Sequence, residues 1–444
     1  MFCPTFGSLT KLDKMTRKYH NTIACAQEMD SIDPLAKWRS EFHIPVIEGK
    51  EVKYFTGNSL GLQPKKTKEY IGEELDEWAN WGVEGHFKGK HPWMHYHEMF
   101  AEPISKIVGA KPKEVVVMNN LTVNLNLLMV SFYRPTKERF KIICEAKAFP
   151  SDQYALEMQV KCAGFNPEDT IVEIAPREGE YTINHDDIYS AIEQAGDSLA
   201  LVMFGGVNYF TGQVFDMETI TRSGHKVGAN VGFDLAHAAG NIKLDLNQWN
   251  VDFACWCSYK YMNSGPGGVS GIYVNERHCN NVELPRFAGW WGHEKESRFL
   301  MEKGFKPMKS AESWQMSNAP VLTMAAHKAS VDIFDEVGMQ ALLEKQKDLS
   351  GYLEFVVEDI NRQKGFTNPK VRGLENITPR AWNERGCQVS IVANGYGRPI
   401  FDHLMKEGVI ADWREPNVIR LAPVPLYNSF EDVYHFGNIL SAAL

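Results

Sequence analysis

Short apolar runs rich in β-branched residues recur along the middle of the chain, at 114–118, 141–144, 199–204, 229–234, 251–257 and 269–274. Segments with helical spacing or polar connections separate several of them, which predicts an α/β sheet covered by helices on both faces. Ahead of this block Ile71, Leu75 and Trp78 fall at helical spacing behind Pro64, so a helix is predicted to lead into a large domain. Beyond it, Leu342, Leu349, Leu353, Val356 and Ile360 share one side of a long helix predicted over 331–361, joining that domain to a terminal one. The last stretch reads strand, helix, strand, helix at 387–393, 400–406, 418–422 and 431–440, a small α+β unit. The division predicted is a poorly defined N-terminal extension (1–33), an N-terminal segment with the large domain (34–335), and a linking helix with the small C-terminal domain (336–444).

Composition narrows the class. With 444 residues, 44% hydrophobic and 23% charged, the chain is globular and too long for one ordinary core. A chain of this size hides roughly three quarters of its unfolded surface and needs no metal or disulfide staple. The net charge of −9, with no dense run of Lys and Arg, speaks against nucleic-acid and anionic-membrane partners. The eight cysteines lack the spacing of a secreted framework and read as reduced thiols. The first twenty residues lack a signal peptide's apolar core, and no run approaches the ~18 apolar residues of a span, so a cytosolic address is expected.

Candidate chemistry concentrates between Asp234 and Lys260. The run Asp234-Leu-Ala-His237 closes one strand and Ser258-Tyr259-Lys260-Tyr261 closes another, so Asp, His, Tyr and Lys emerge at one sheet edge, where open α/β sheets bind ligands. Each residue alone is ordinary: a strand-end lysine is usually a solvated charge, and an Asp after a strand usually caps a helix. Together they suit pyridoxal chemistry, which needs a lysine to form an imine and an acid to keep the pyridine nitrogen protonated. Thr122, behind the 114–118 strand and at the head of a predicted helix, is a candidate phosphate contact or a plain N-cap. Gly265-Pro-Gly-Gly268 lacks the Lys-Ser/Thr of a phosphate loop and reads as a tight turn.

Over residues ~35 to 440 the chain resembles the kynureninase family of fold type I pyridoxal-phosphate enzymes. The resemblance rests on Phe55-Thr-Gly-Asn-Ser-Leu-Gly-Leu-Gln-Pro64, Asn120 to Asn124, Ala146-Lys-Ala-Phe-Pro-Ser-Asp152, Gly232-Phe-Asp-Leu-Ala-His237, Val251 to Tyr261, Gly289-Trp290, Gly292-His293-Glu294 and Ile419 to Asn428. It implies a large domain with a mainly parallel, seven-stranded sheet between helices, a small C-terminal α+β domain, and pyridoxal 5'-phosphate as cofactor. It makes Lys260 the imine lysine, Asp234 the partner of the ring nitrogen and Phe149 the ring stacked on the cofactor, with Pro150 and Ser151 beside it. Leu121, Thr122 and Tyr259 would meet the phosphate region, and Asp152, Gly205 and His237 would complete the cofactor shell. Trp290 and Asn318 match phosphate contacts that reach across a homodimer interface. Arg420 would bind the substrate's α-carboxylate, and His86, Asn318, Ser59 and Trp291 would lie toward the substrate. Gly205 stands where a serine is familiar and Asn208 where a histidine is expected. The activity implied is hydrolytic Cβ–Cγ cleavage of L-kynurenine and 3-hydroxy-L-kynurenine in tryptophan catabolism and NAD biosynthesis, with Lys260, Asp234 and Tyr259 catalytic.

Three other readings compete. His91, His95, His97 and Glu98 form a dense cluster that suits a metal-dependent hydrolase, but HPWMHYHE lacks the HExxH arrangement, and no metal is expected. Cys255 and Cys257, two sulfurs facing one way on a strand without further ligands, suit a core rather than a metal site. A cysteine desulfurase or β-lyase of the same fold needs a mobile, exposed thiol, yet Cys387 lies in a strand-like run. A non-catalytic interaction protein leaves the Lys, Asp and Arg set without a purpose.

Overall fold

The computed structural model describes residues 19–444. Seven strands form the central sheet: β1 (Val115–Val117), β2 (Lys141–Glu145), β3 (Ile171–Ile174), β4 (Leu199–Gly205), β5 (Asn230–Asp234), β6 (Phe253–Cys257) and β7 (Ser270–Val274). Their order is β1-β7-β6-β5-β4-β2-β3, with β7 antiparallel to both neighbours and the pairs from β6 to β3 parallel. The inner strands are buried almost throughout, as expected of a sheet covered on both faces. The six apolar runs all became strands. The seventh, β3, was not expected: Ile-Val-Glu-Ile is short, and as an edge strand it exposes Glu173, so it carries little apolar signal.

The leading helix, α1 (Thr67–Trp81), is present, but of its expected apolar stripe only Ile71 packs against the core. Leu75 and Trp78 are 44% and 61% exposed, while Thr67 and Glu74 are buried and Glu74 accepts from the Trp93 indole at 2.8 Å. Two further helices, α2 (Leu121–Phe132) and α3 (Pro150–Cys162), follow β1 and β2. The single long helix expected over 331–361 is two, α4 (Val321–Val337) and α5 (Met339–Gln363), divided at Gly338. Gly338 has φ +75° and ψ 146°, a conformation that L side chains rarely adopt and that interrupts the helical ladder. The five apolar positions expected on one side of α5 are all buried.

The C-terminal part holds an antiparallel sheet of β8 (Gly373–Asn376), β9 (Val389–Asn394), β10 (Asp412–Arg414) and β11 (Val418–Leu421), in the order β8-β9-β11-β10. Helices α6 (Arg398–Lys406) and α7 (Phe430–Ala442) complete it. Of the expected extension, residues 1–18 lie outside the described residues, and Ile23–Ser31 form a helix whose Ala26 and Met29 join the C-terminal core. Asp30 accepts from the amides of Phe430 and Glu431 at 2.8 and 2.9 Å, and Asp33 pairs with buried Lys345 at 2.7 Å. Residues 19–33 are thus tied to the C-terminal part rather than loosely defined. Among the described residues no helix is long and apolar enough to cross a membrane.

Candidate active site

At the carboxyl ends of the parallel strands, Glu145 ends β2, Gly205 ends β4 and Asp234 ends β5, with Gly205 and Asp234 in register. Tyr259 and Lys260 leave the end of β6, and the Gly61 amide donates to the Tyr259 carbonyl at 2.8 Å, which seats the 55–64 motif on the lysine loop. Between these ends lies a cavity of about 530 Å³, its open mouth included. Of the residues expected there, Leu121, Thr122, Phe149, Ser151, Asp152, Gly205, Asp234, His237, Tyr259 and Lys260 line it. The fold brings them together from five separate stretches of chain.

Lys260 Nζ is 3.1 Å from His237 Nε2 and 5.9 Å from the centroid of the Phe149 ring. Burial drives His237 well below the ordinary imidazole range, and the charges of Lys260, Arg420 and Arg414 push the same way. The ring is therefore neutral. Its Nε2 lies against Lys260 Nζ, and its Nδ1 is buried without a protein partner.

Burial also raises the Asp234 carboxyl, which Lys260, the Ala236 amide at 2.7 Å and Asp152 draw back only in part. Asp152 is raised well above the carboxylate range by burial and by Asp234, so the two carboxyls titrate as a pair and share a proton. Its Oδ1 is buried without a partner.

The far end of the cavity is the start of α2. Asn120 precedes it with extended backbone but makes no side-chain cap, so the first-turn amides beside Leu121 and Thr122 stay available to an anion. Thr122 lies within that turn and is not the N-cap. Phe149 precedes α3, where Pro150 takes the first helical position; Pro150 is exposed and does not line the cavity.

Other expected contacts are not brought to this cavity within one chain. Arg420, on β11, is 1% exposed and is held by Asp412 through Nε and Nη2 at 2.9 and 2.8 Å, while Nη1 donates to the Tyr209 carbonyl at 2.6 Å. It stands behind Tyr209, which does line the cavity. Trp290, Asn318 and Ser59 are exposed and His86 is half-buried against Trp93, none of them lining it. Trp291 is fully buried, with the Arg298 guanidinium 4.4 Å from its ring, and does not line this cavity.

The histidine cluster takes another form. Trp93–Phe100 is a 3₁₀ helix, so its spacing does not put His91 and His95 on one face. His95 pairs with Glu98 at 2.6 Å and His97 with Glu312 at 2.8 Å, while the Lys295 ammonium lies 2.9 Å from Glu98 and 3.3 Å from Glu312. Although burial pushes Glu312 up, His97 and Lys295 hold it down at about 2. Lys295 already supplies the cation between these carboxylates. Cys387 is 2% exposed and offers no mobile thiol. Gly265 to Gly268 form the expected turn, closed by the Gly268 amide on the Gly265 carbonyl at 2.9 Å.

The sequence reading missed Glu145, Val207, Tyr209, Ala236 and Cys257, all of which line the cavity. Glu145 carried the signal that picked out Asp234, an acid at the end of an apolar strand. The assembled set suits pyridoxal phosphate: an amine, a buried carboxyl pair for the ring nitrogen, an unpartnered buried imidazole nitrogen, an aromatic face and an open helix N-terminus for the phosphate.

A family model described as aminotransferase class-V matches residues 54–378, and one described as kynureninase C-terminal domain matches 342–440. A kynureninase of Flavobacterium psychrophilum is 60% identical over 427 residues, covering 96% of this chain and 99% of that one. A kynureninase of Nematostella vectensis is 46% identical over 453 residues, covering 98% and 95%. Among solved structures, a cysteine desulfurase from Thermococcus onnurineus matches with a TM-score of 0.72 at 18% identity over 92% of this chain and 97% of that one, a likeness of fold alone. Sheet and site together define a pyridoxal-phosphate enzyme of fold type I. Within that class the chain belongs to the kynureninase family.

Proposed function

We propose that the enzyme hydrolyses the Cβ–Cγ bond of L-kynurenine and 3-hydroxy-L-kynurenine, releasing L-alanine with anthranilate or 3-hydroxyanthranilate. The observation that carries this is the convergence of Lys260, Asp234 and His237 at one sheet edge in a chain 60% identical to a kynureninase. When bound, pyridoxal phosphate draws electrons from the substrate's Cα, which makes the Cα proton acidic and lets water's attack on the ketone break the next carbon–carbon bond.

Lys260 anchors the cofactor and, once the substrate's amine takes its place, moves the proton at Cα. Asp234, backed by Asp152, holds the proton at the ring nitrogen. Phe149 covers the ring, and the α2 amides at Leu121 and Thr122 take the phosphate. Arg420 binds the α-carboxylate: Asp412 fixes its plane through Nε and Nη2, and Nη1, with one N–H on the Tyr209 carbonyl, turns its other N–H to substrate. The Tyr259 hydroxyl, pushed up by burial and by neighbouring Cys257, stays protonated and supplies a proton at Cβ after the bond has broken.

A homodimer completes the same reading. Trp290 and Asn318 stand on the surface, and Trp290 adjoins exposed Phe299, next in sequence to exposed Leu300 and Met301, an apolar face suited to a second copy. Across that contact Trp290 and Asn318 would reach the partner's phosphate and aryl ring, with His86. The two-domain division, jointed at Gly338, and a cytosolic address belong to this proposal, the latter in keeping with seven free thiols among the described residues.

The test is incubation of the purified protein with pyridoxal phosphate and L-kynurenine, following anthranilate fluorescence and alanine. Equal amounts of both products are expected. Release of sulfur from cysteine without anthranilate from kynurenine would overturn the reading.

A further inference from the structure

Glu145 is a third acid at this sheet edge, and the reaction as derived gives it no task. It is 4% exposed and lines the cavity with Asp152 and Asp234. Its Oε2 accepts from Asn208 Nδ2 at 2.7 Å and its Oε1 from the Gly205 amide at 3.3 Å. Burial pushes the carboxyl up, Asn208 and Gly205 draw it down, Asp234 pushes it up again, and the balance falls at about 7. A Cβ at position 205 would lie 2.8 Å from Oε1, closer than real contacts come, so glycine there leaves room for this carboxylate.

Asn208 is committed at its other end as well. Its Oδ1 accepts from the amides of Phe210 and Thr211 at 3.0 and 2.9 Å and from the Thr211 hydroxyl at 3.0 Å. With three donors on that oxygen the amide cannot turn over, and its NH₂ must face Glu145. These bonds close the turn 208–211, which carries Tyr209. The Tyr209 ring meets Phe149 edge-on at 5.5 Å, and its carbonyl accepts from Arg420 Nη1 at 2.6 Å and Gln388 Nε2 at 3.0 Å. One chain of contacts thus runs from the cofactor's edge of the sheet to the buried arginine on the C-terminal sheet.

We propose that Glu145 is a positioning residue: through Asn208 it sets the 208–211 turn and so fixes Tyr209 between Phe149 and Arg420. Its consequence for substrate rests on the reading of Arg420 above; the positioning itself does not. Removing the carboxylate leaves Asn208 Nδ2 without its acceptor, and the turn loses the anchor that ties it to β2. Because Glu145 and Asn208 act as one unit, their losses do not add.

The test is amide hydrogen exchange on the holoenzyme, read at Phe210 and Thr211, with steady-state kinetics alongside. In Glu145→Ala these two amides should exchange roughly tenfold faster, the loss of one charge-assisted hydrogen bond. Gly205→Ala, which drives Oε1 away, should act in the same direction, and Glu145→Gln, which keeps an acceptor for Asn208, should restore most of the protection. KM for kynurenine should rise several-fold in Glu145→Ala with kcat changed less than about threefold, and Glu145→Ala/Asn208→Ala should be no worse than the worse single variant. Unchanged exchange in both Glu145→Ala and Gly205→Ala overturns the proposal, as does a double variant whose losses add. Should Glu145→Ala fail to fold, Gly205→Ala carries the same readout. An Arg420→Ala variant with unaltered KM would remove the Arg420 reading while leaving the exchange result to decide the positioning.

Discussion

Lys260 Nζ lies 3.1 Å from His237 Nε2, so the amine proposed to anchor the cofactor has a neutral imidazole as its hydrogen-bond partner. His237 is held in that state by burial, and its ring orients the amine toward the cavity without quenching it in an ion pair. This contact ties the end of β6 to the residues that follow β5, and it sets the first prediction.

Borohydride treatment of the holoenzyme should bleach its near-visible absorption and leave the cofactor attached to Lys260. Peptide mapping checks this, and an adduct on any other lysine sinks the assignment. Lys260→Ala should lack that absorption and the activity together.

Asp234→Ala should weaken cofactor binding by roughly 10- to 150-fold, the loss of a hydrogen bond to a charged group worth about 1.5–3 kcal/mol. Titration of apo-protein with pyridoxal phosphate measures the affinity, and exchange of the substrate's Cα proton in deuterium oxide measures the electron-withdrawing step. Near-normal exchange in this variant would exclude the role given to Asp234.

For Arg420→Ala, the loss of one member of a buried charge pair, about 2–5 kcal/mol, should lower kcat/KM by roughly 30-fold to several thousand-fold. Pyridoxal phosphate should still bind. A loss below about threefold would place the carboxylate elsewhere.

Mixed dimers test the shared site. Lys260→Ala and Asn318→Ala each disable a different contributor, and a hybrid dimer then holds one site with both changes and one with neither. With random reassortment half the dimers are hybrids, so an equal mixture of the two inactive variants should regain about a quarter of wild-type activity. Activity that stays at the level of the separate variants would show that each chain builds its own site.

Glu145 gives a stability prediction with a definite sign. Its folded-state value of about 7 exceeds the ordinary 4.5, so between those values the folded protein holds a proton the unfolded chain has lost. The associated stability is fully present below the unfolded value and disappears as pH rises through the folded one, about 3 kcal/mol in all. Glu145→Gln lacks this ionisation. Its Tm should therefore gain on wild type as pH is raised from about 5 to 8, and parallel curves would place the titration elsewhere.

Strand existence was legible where apolar runs were continuous, because an inner strand of a two-faced sheet buries nearly every side chain. The edge strand β3 was not, since its exposed Glu173 breaks the run. The helix α1 was legible as a period but not as a face: Leu75 and Trp78 point outward because α1 buries its Thr67 and Glu74 side. The helix break at Gly338 was written as a single glycine, a residue that sequence spacing alone does not distinguish from one tolerated within a helix. Trp291 was placed toward the substrate by the family resemblance, whereas its burial under the Arg298 guanidinium is visible only in the folded chain.

The sequence by itself determined the chemistry on offer: an amine, acids and an imidazole at strand ends, placed there because parallel strands deliver their last residues to one edge. Tertiary structure alone decided how those groups act on one another. Proton sharing between Asp152 and Asp234, the neutral state of His237, and the chain of contacts from Glu145 through Tyr209 to Arg420 join residues from 23 to more than 200 positions apart. Their ionisation follows from burial and distance, quantities that exist only once the sheet has closed over them.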